Sequence, residues 1–113
     1  MKNLHGKRAL VTGGSRGIGA AIAQALAEHG ADVVITYEHA AERAAQVVTA
    51  IEGAGQRGIA LQADSADPAA IKRAVAATVE GLGGLDILVN SAAIARAGAT
   101  SDISMAWMSA RPC

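Results

Sequence analysis

Phenylalanine is absent from this 113-residue chain, tryptophan and tyrosine occur once each, and there are two prolines and one cysteine. Without aromatic rings the core has to be built from Val, Ile, Leu and alanine, the last occurring 28 times. The lone cysteine, Cys113, is the last residue. An internal disulfide and a cysteine zinc cluster are thereby excluded, and a reducing, cytoplasmic setting is expected. Net charge is lacking too, because ten basic and ten acidic side chains cancel. The clustered positive charge that holds nucleic acid or an anionic membrane is missing, so neither is an expected partner. No apolar run reaches the length of a membrane span, and Met1 to Gly6 contains no signal-peptide hydrophobic region. The three histidines, His5, His29 and His39, have no metal-ligand spacing and are expected at the surface or at helix ends.

Glycine is plentiful, with thirteen residues, and points to tight backbone turns and not to a linker. Arg8–Thr12 is a short apolar run closed by Gly13-Gly14, the pattern of a buried strand. Ile18, Ile22, Ala25, Leu26 and His29 follow at helical spacing, with Gly30 where a C-terminal cap belongs. Val33-Val34-Ile35 reads as a second buried strand, and Ala40–Ala54 as an amphipathic helix with a stripe of Ala44, Val47, Val48 and Ile51, stopped by Gly55. Gly58–Gln62 is the third strand. Asp67 and Pro68 supply a side-chain cap and a first-turn proline for a third helix, with a stripe of Ile71, Val75, Val79 and Leu82 and a stop at Gly83-Gly84. Leu85–Val89 is a fourth strand, and beyond it the chain reads as irregular, with a helical turn or two around Ile103, Trp107 and Met108. Strands apolar on both faces that alternate with helices make an α/β fold, a parallel sheet covered on both sides. Right-handed crossovers then restrict it to a doubly wound sheet.

The chemistry concentrates between the first strand and the first helix, in Thr12-Gly13-Gly14-Ser15-Arg16-Gly17-Ile18-Gly19. Glycines there allow a sharp turn and close approach of a ligand, while free N–H groups and the positive end of the helix dipole attract phosphate. The spacing Gly-x-x-x-Gly-x-Gly differs from the commoner Gly-x-Gly-x-x-Gly fingerprint, and without a Gly-Lys-Ser or Gly-Lys-Thr it is no P-loop.

With these residues in place the chain resembles the short-chain dehydrogenases/reductases. The family's Thr-Gly-x-x-x-Gly-x-Gly is matched from Thr12 to Gly19, and its Asp after the third strand by Asp64-Ser65. Its Asn-Asn-Ala-Gly after the fourth strand is represented by Asn90-Ser91-Ala92-Ala93, led in by Leu85-Asp86-Ile87-Leu88-Val89. The local text looks most like the 3-oxoacyl-(acyl-carrier-protein) reductases. The resemblance implies a Rossmann-type sheet in the order 3-2-1-4 with three helices, a nicotinamide dinucleotide cofactor, and hydride transfer to or from a small carbonyl or alcohol substrate. It implies that Gly13, Ser15, Arg16, Gly17, Ile18 and Gly19 wrap the adenosine phosphate and pyrophosphate. Asp64 would accept a hydrogen bond from the adenine amino group with Ser65 beside it, and Tyr37 would sit at the adenosine end. Asn90 ties the fourth strand to its neighbours in the family, and the backbone through Ala92 follows the nicotinamide-side ribose. Ser91 and Ala93 depart from the pattern, and the Ala93 methyl could crowd the cofactor.

Two features bear on the choice of cofactor. NAD-specific members place an acid at the end of the second strand, where this chain has Thr36, Tyr37 and then Glu38. Arg16 stands where NADP-preferring members carry a basic residue able to bond a phosphate, which favours NADP(H) over NAD(H). The family's catalytic Ser and Tyr-x-x-x-Lys have no counterpart in this sequence, since the only tyrosine, Tyr37, is followed by Ala41 at the lysine position. The expectation is a partial dinucleotide-binding domain over 1–113, truncated at its C-terminus, with an atypical tail at 103–113, inactive alone and prone to self-association where the full-length family is usually homo-oligomeric. Two other readings stay open: a non-catalytic dinucleotide-binding module, and a methyltransferase with a similar glycine turn. Asp64 and Asn90 weigh against the second.

Overall fold

The computed structural model describes residues 3–13, 17–64 and 66–91. Within them strands and helices alternate as β1 (Arg8–Thr12), α1 (Gly17–Glu28), β2 (Asp32–Tyr37), α2 (Ala41–Gly53), β3 (Gly58–Gln62), α3 (Pro68–Leu82) and β4 (Ile87–Asn90). The sheet has the order β3-β2-β1-β4 and every pairing is parallel, with Leu10 opposite Val34 on one side and Leu88 on the other. The expected Rossmann-type half-sheet is therefore present. Residues 92–113, including the turns expected around Ile103, Trp107 and Met108, lie outside the described residues. None of the described helices is long and apolar enough to cross a membrane.

Alternation along the strands divides the core into two layers. Ala9, Val11, Val33, Ile35 and Ile87 face α1 and α2, where Ala23, Ala27, Ala44, Val47 and Ile51 meet them. Leu10 and Val34 face α3, where Ala74 and Leu82 close over them. The α2 stripe is the expected one.

The stripes of α1 and α3 differ from expectation. α1 buries Gly19, Ala23 and Ala27, whereas Ile18 is 53% exposed. α3 buries Ala70, Ala74, Thr78 and Leu82, and Val79 is 45% exposed. Along α1, and along α3 as far as Thr78, the buried line consists of small residues, with Ile22, Leu26, Ile71 and Val75 half-buried alongside it, and only Leu82 at the end of α3 keeps to the expected stripe. Small side chains let a helix axis lie nearer the sheet, so residue size and not hydropathy selects the line of contact.

The caps follow the sequence closely. Asp67 accepts a hydrogen bond from the Ala69 amide at 3.0 Å with Pro68 behind it, and Gly83 ends α3 in the left-handed region at φ 85°. α3 carries no basic residue in its last turn, yet two arginines reach its C-terminal carbonyls from elsewhere. Arg8 of β1 donates to the Gly83 carbonyl and pairs with Asp86 at 2.9 Å. Arg57, just before β3, donates to the Leu82 carbonyl at 3.2 Å and pairs with Asp32 of β2 at 3.2 Å. These cations complement the negative end of the helix dipole. The side-chain hydrogen bond from Arg8 is the largest influence holding the Asp86 carboxyl below the usual aspartate range, and the bond to Asp86 raises the Arg8 guanidinium in turn.

Candidate functional site

Parallel strands end on one side of a sheet, and here Thr12, Tyr37, Gln62 and Asn90 mark that carboxyl edge. The strand order reverses at β1, whose two neighbours β2 and β4 lead the chain to opposite sides. A crevice outside the carboxyl ends at such a point is where open α/β sheets take ligands.

Hydroxyl groups organise the end of β1. The Thr12 hydroxyl donates to Asn90 Oδ1 at 2.9 Å, the Gly13 amide donates to the Thr36 hydroxyl at 3.0 Å, and the Ser91 hydroxyl donates to the Thr12 carbonyl. Thr12, Thr36 and Ser91 are all buried. Gly13 then turns the chain at φ 68°, a conformation that side chains rarely adopt. α1 begins at Gly17 without an acidic residue in its first turn, so no side chain of its own neutralises the positive end of its dipole. At Gly19 a Cβ would fall on the Gly13 carbonyl and lie 2.5 Å from the Ser91 hydroxyl. Only glycine lets α1 start this close to the end of β1.

A second feature lies at the ends of β2 and β3. A cavity of about 380 Å³ is lined by Glu38, His39, Gln62, Asp64, Asp67 and Arg73, among others. The Gln62 amide donates to the Glu38 carbonyl at 3.0 Å, and the Ala63 amide to the Tyr37 carbonyl at 2.9 Å, which joins the two strand ends. Asp64 accepts from the Ala66 amide at 2.9 Å, a short turn that leads into the Asp67 cap. The cavity's lining includes three acidic residues, Glu38, Asp64 and Asp67, and one arginine, Arg73. Its size is at the small end of the range for ligand pockets.

The structure thus brings Gly13, Gly17, Ile18 and Gly19 together at the start of α1 and puts Asn90 beside them on β4. Asp64 lies at the cavity, whereas Tyr37 packs against the layer of α1 and α2 and does not line it. Ser15, Arg16, Ser65 and Ala92 lie outside the described residues. No group of three or more His, Cys, Asp or Glu among the described residues is arranged to hold a metal ion. Sequence reasoning noted Thr36 only as a strand-end position and Ser91 only as a departure from the motif, and gave neither a role. Their signals were a hydroxyl ending an otherwise apolar strand and a serine in place of the second asparagine of the motif.

Comparison with known proteins agrees with this geometry. The short chain dehydrogenase family matches residues 7–110. Versicolorin reductase 1 of Aspergillus parasiticus is 50% identical over 101 residues, 89% of this chain and 38% of that protein. The 3-oxoacyl-(acyl-carrier-protein) reductase of Staphylococcus aureus strain Mu50 is 46% identical over 90 residues, 80% of this chain and 37% of that protein. Among solved structures, a short chain dehydrogenase from Burkholderia cenocepacia J2315 in complex with NADP superposes with a TM-score of 0.75 at 69% identity, covering 77% of this chain and 36% of the other. The chain spans little more than a third of the length of these proteins.

Proposed function

The chain belongs to the short-chain dehydrogenase family, and on that footing we propose that it forms the dinucleotide-binding half of an oxidoreductase, with NADP(H) preferred to NAD(H). The observation that carries this reading is the close approach of the start of α1 to the end of β1 at the carboxyl edge of the sheet. A Cβ at Gly19 would fall on the Gly13 carbonyl, so the first turn of α1 is held against the end of β1 with the positive end of its dipole at that edge, where a pyrophosphate would bind. The residues present fit a dinucleotide.

In this reading Gly13, Ser15, Arg16, Gly17, Ile18 and Gly19 hold the phosphates, with amide N–H groups at the start of α1 donating to them. Tyr37, Asp64 and Ser65 serve the adenosine end, the Asp64 carboxylate accepting from the adenine amino group. Asn90 and Ala92 border the ribose next to the nicotinamide. Once bound, the nicotinamide supplies or accepts the hydride exchanged with a small carbonyl or alcohol. Tyr37 has no lysine four residues on, so this chain binds the cofactor and does not turn over substrate by itself. Residues 1–113 are part of a larger cofactor-binding domain, acting in the cytoplasm without nucleic-acid or membrane partners. The 113-residue chain alone self-associates through the outer edge of β4.

Arg16 and the NADP bound by the Burkholderia cenocepacia protein support the phosphorylated cofactor. The carboxylates of Glu38, Asp64 and Asp67 oppose a 2′-phosphate, so the preference is expected to be small and to shrink with added salt. Titration with NADPH and with NADH, read by nicotinamide fluorescence, tests both levels of the reading. Tighter NADH binding reverses the cofactor preference, and no binding of either overturns the function.

A further inference from the structure

The Thr12 carbonyl and the Gly13 amide are two ends of one peptide group, and a hydroxyl from each neighbouring strand holds one end. Thr36, at the end of β2, accepts from the Gly13 N–H at 3.0 Å, and Ser91, just past β4, donates to the Thr12 carbonyl. The sheet ladder accounts for neither bond. Regular pairing on the two sides of β1 is recorded as far as Val11 opposite Ile35 and Thr12 opposite Asn90, so the hydroxyls take over where the ladder stops. The Thr12 hydroxyl is itself engaged with Asn90, and the two holding groups are fully buried or nearly so, at 0% exposure for Thr36 and 3% for Ser91. Ser91 also lies where a Cβ on Gly19 would touch it, so the same hydroxyl abuts the first turn of α1.

We propose that Thr36 and Ser91 are positioning residues that fix the Thr12–Gly13 peptide and thereby, through the contact of Gly19 with Gly13 and Ser91, aim the start of α1 at a bound phosphate. They act through the backbone and do not touch the ligand. The proposal rests on the dinucleotide reading, and it adds to it a mechanism of affinity that lies outside the glycine motif. A buried amide that loses its acceptor is costly, and the surrounding peptide rotates to find another. The start of α1 then spends less of its time in the binding orientation, and apparent affinity falls with that fraction.

The test uses the 113-residue chain and the variants Thr36→Val, Thr36→Ser and Ser91→Ala, with Thr78→Val as control. Thr78 is also a fully buried threonine, but its hydroxyl donates to the Ala74 carbonyl within α3. Two quantities are measured: the NADPH dissociation constant, and hydrogen exchange of the Gly13 amide relative to the slowest amides of the sheet. Thr36→Val and Ser91→Ala are expected to weaken NADPH binding roughly three- to tenfold, the range one hydrogen bond supports. Thr36→Val is expected to speed Gly13 exchange by a similar factor, while Thr36→Ser restores both values. Thr78→Val lowers the melting temperature and leaves both unchanged. If Thr36→Val and Ser91→Ala lower stability but keep the dissociation constant and Gly13 exchange within twofold of the parent, the two hydroxyls are only structural and the proposal is overturned. If the parent chain binds neither NADPH nor NADH, the dinucleotide reading fails. The exchange data then decide by themselves whether the peptide is held.

Discussion

Gly19 has no room for a side chain, because a methyl there would meet the Gly13 carbonyl and the Ser91 hydroxyl together. Gly19→Ala forces one of two rigid backbones to move, and overpacking of this kind costs about 1–3 kcal/mol. Urea unfolding is expected to show that loss, and titration should show weaker NADPH binding, since the displaced segment is the start of α1. Asp86 supports a prediction of a different kind. Its carboxyl is held below the usual aspartate range, first by the Arg8 side chain, so the folded state binds its proton less readily than the unfolded state does. The contribution is complete above the ordinary aspartate value of about 4 and is lost as pH falls through the lower folded value. Urea midpoints should therefore drop below about pH 4, and Asp86→Asn should start lower at neutral pH and respond less to acid. At this scale the need for glycine at positions 13 and 19 was legible in the sequence, because a sharp turn and a close approach are encoded in spacing. The roles of Thr36 and Ser91 were not legible, because a hydroxyl's partner depends on which strands become neighbours, and Ser91 meets a residue 79 positions away.

Among the elements, α2 could be read correctly because its bulky apolar residues Val47 and Ile51 are buried together with Ala44 on one face. α1 and α3 separate those two properties. Their hydrophobic periodicity follows Ile18, Ile22, Ile71 and Val79, while the sheet contacts the alanines and the glycine beside them. Periodicity thus identified each element and missed its orientation by about one residue. A pair of substitutions in α3 checks this. Ala74→Leu adds bulk on the line of contact and is expected to cost about 1–3 kcal/mol, whereas Val79→Leu on the exposed side should stay within about 0.5 kcal/mol. Thermal unfolding of the two variants distinguishes them, and the reverse order would place the stripe where hydropathy alone puts it. The start of the same helix was fully legible, and Asp67→Ala, which removes the cap to the Ala69 amide, should cost about 1 kcal/mol in the same assay.

Over the whole molecule the sheet has two differently built edges. The carboxyl edge gathers glycines, hydroxyls and the cavity, and the amino edge is fastened by the pairs Arg8–Asp86 and Arg57–Asp32. Among the described residues β4 is flanked by β1 on one side only, and such a strand offers an unpaired row of amides and carbonyls to another chain. Sedimentation velocity on the 113-residue chain is expected to show self-association, and a monodisperse monomer that unfolds cooperatively would contradict it. The fold class and strand order were legible from the alternation of elements and the family motifs, since right-handed crossovers leave few arrangements.

The pairing of β1 with β4 has a consequence in time. β1 meets β2 across a loop of 24 residues, Arg8 to Asp32, but it meets β4 only after 78, Ala9 to Ile87. Loop-closure entropy and high contact order make the second pairing the later one. A chain emerging from the ribosome therefore carries its glycine turn, and the Thr36 acceptor for it, well before Asn90 and Ser91 arrive. If the carboxyl edge grips a dinucleotide as proposed, that competence is acquired late, as β4 docks against β1.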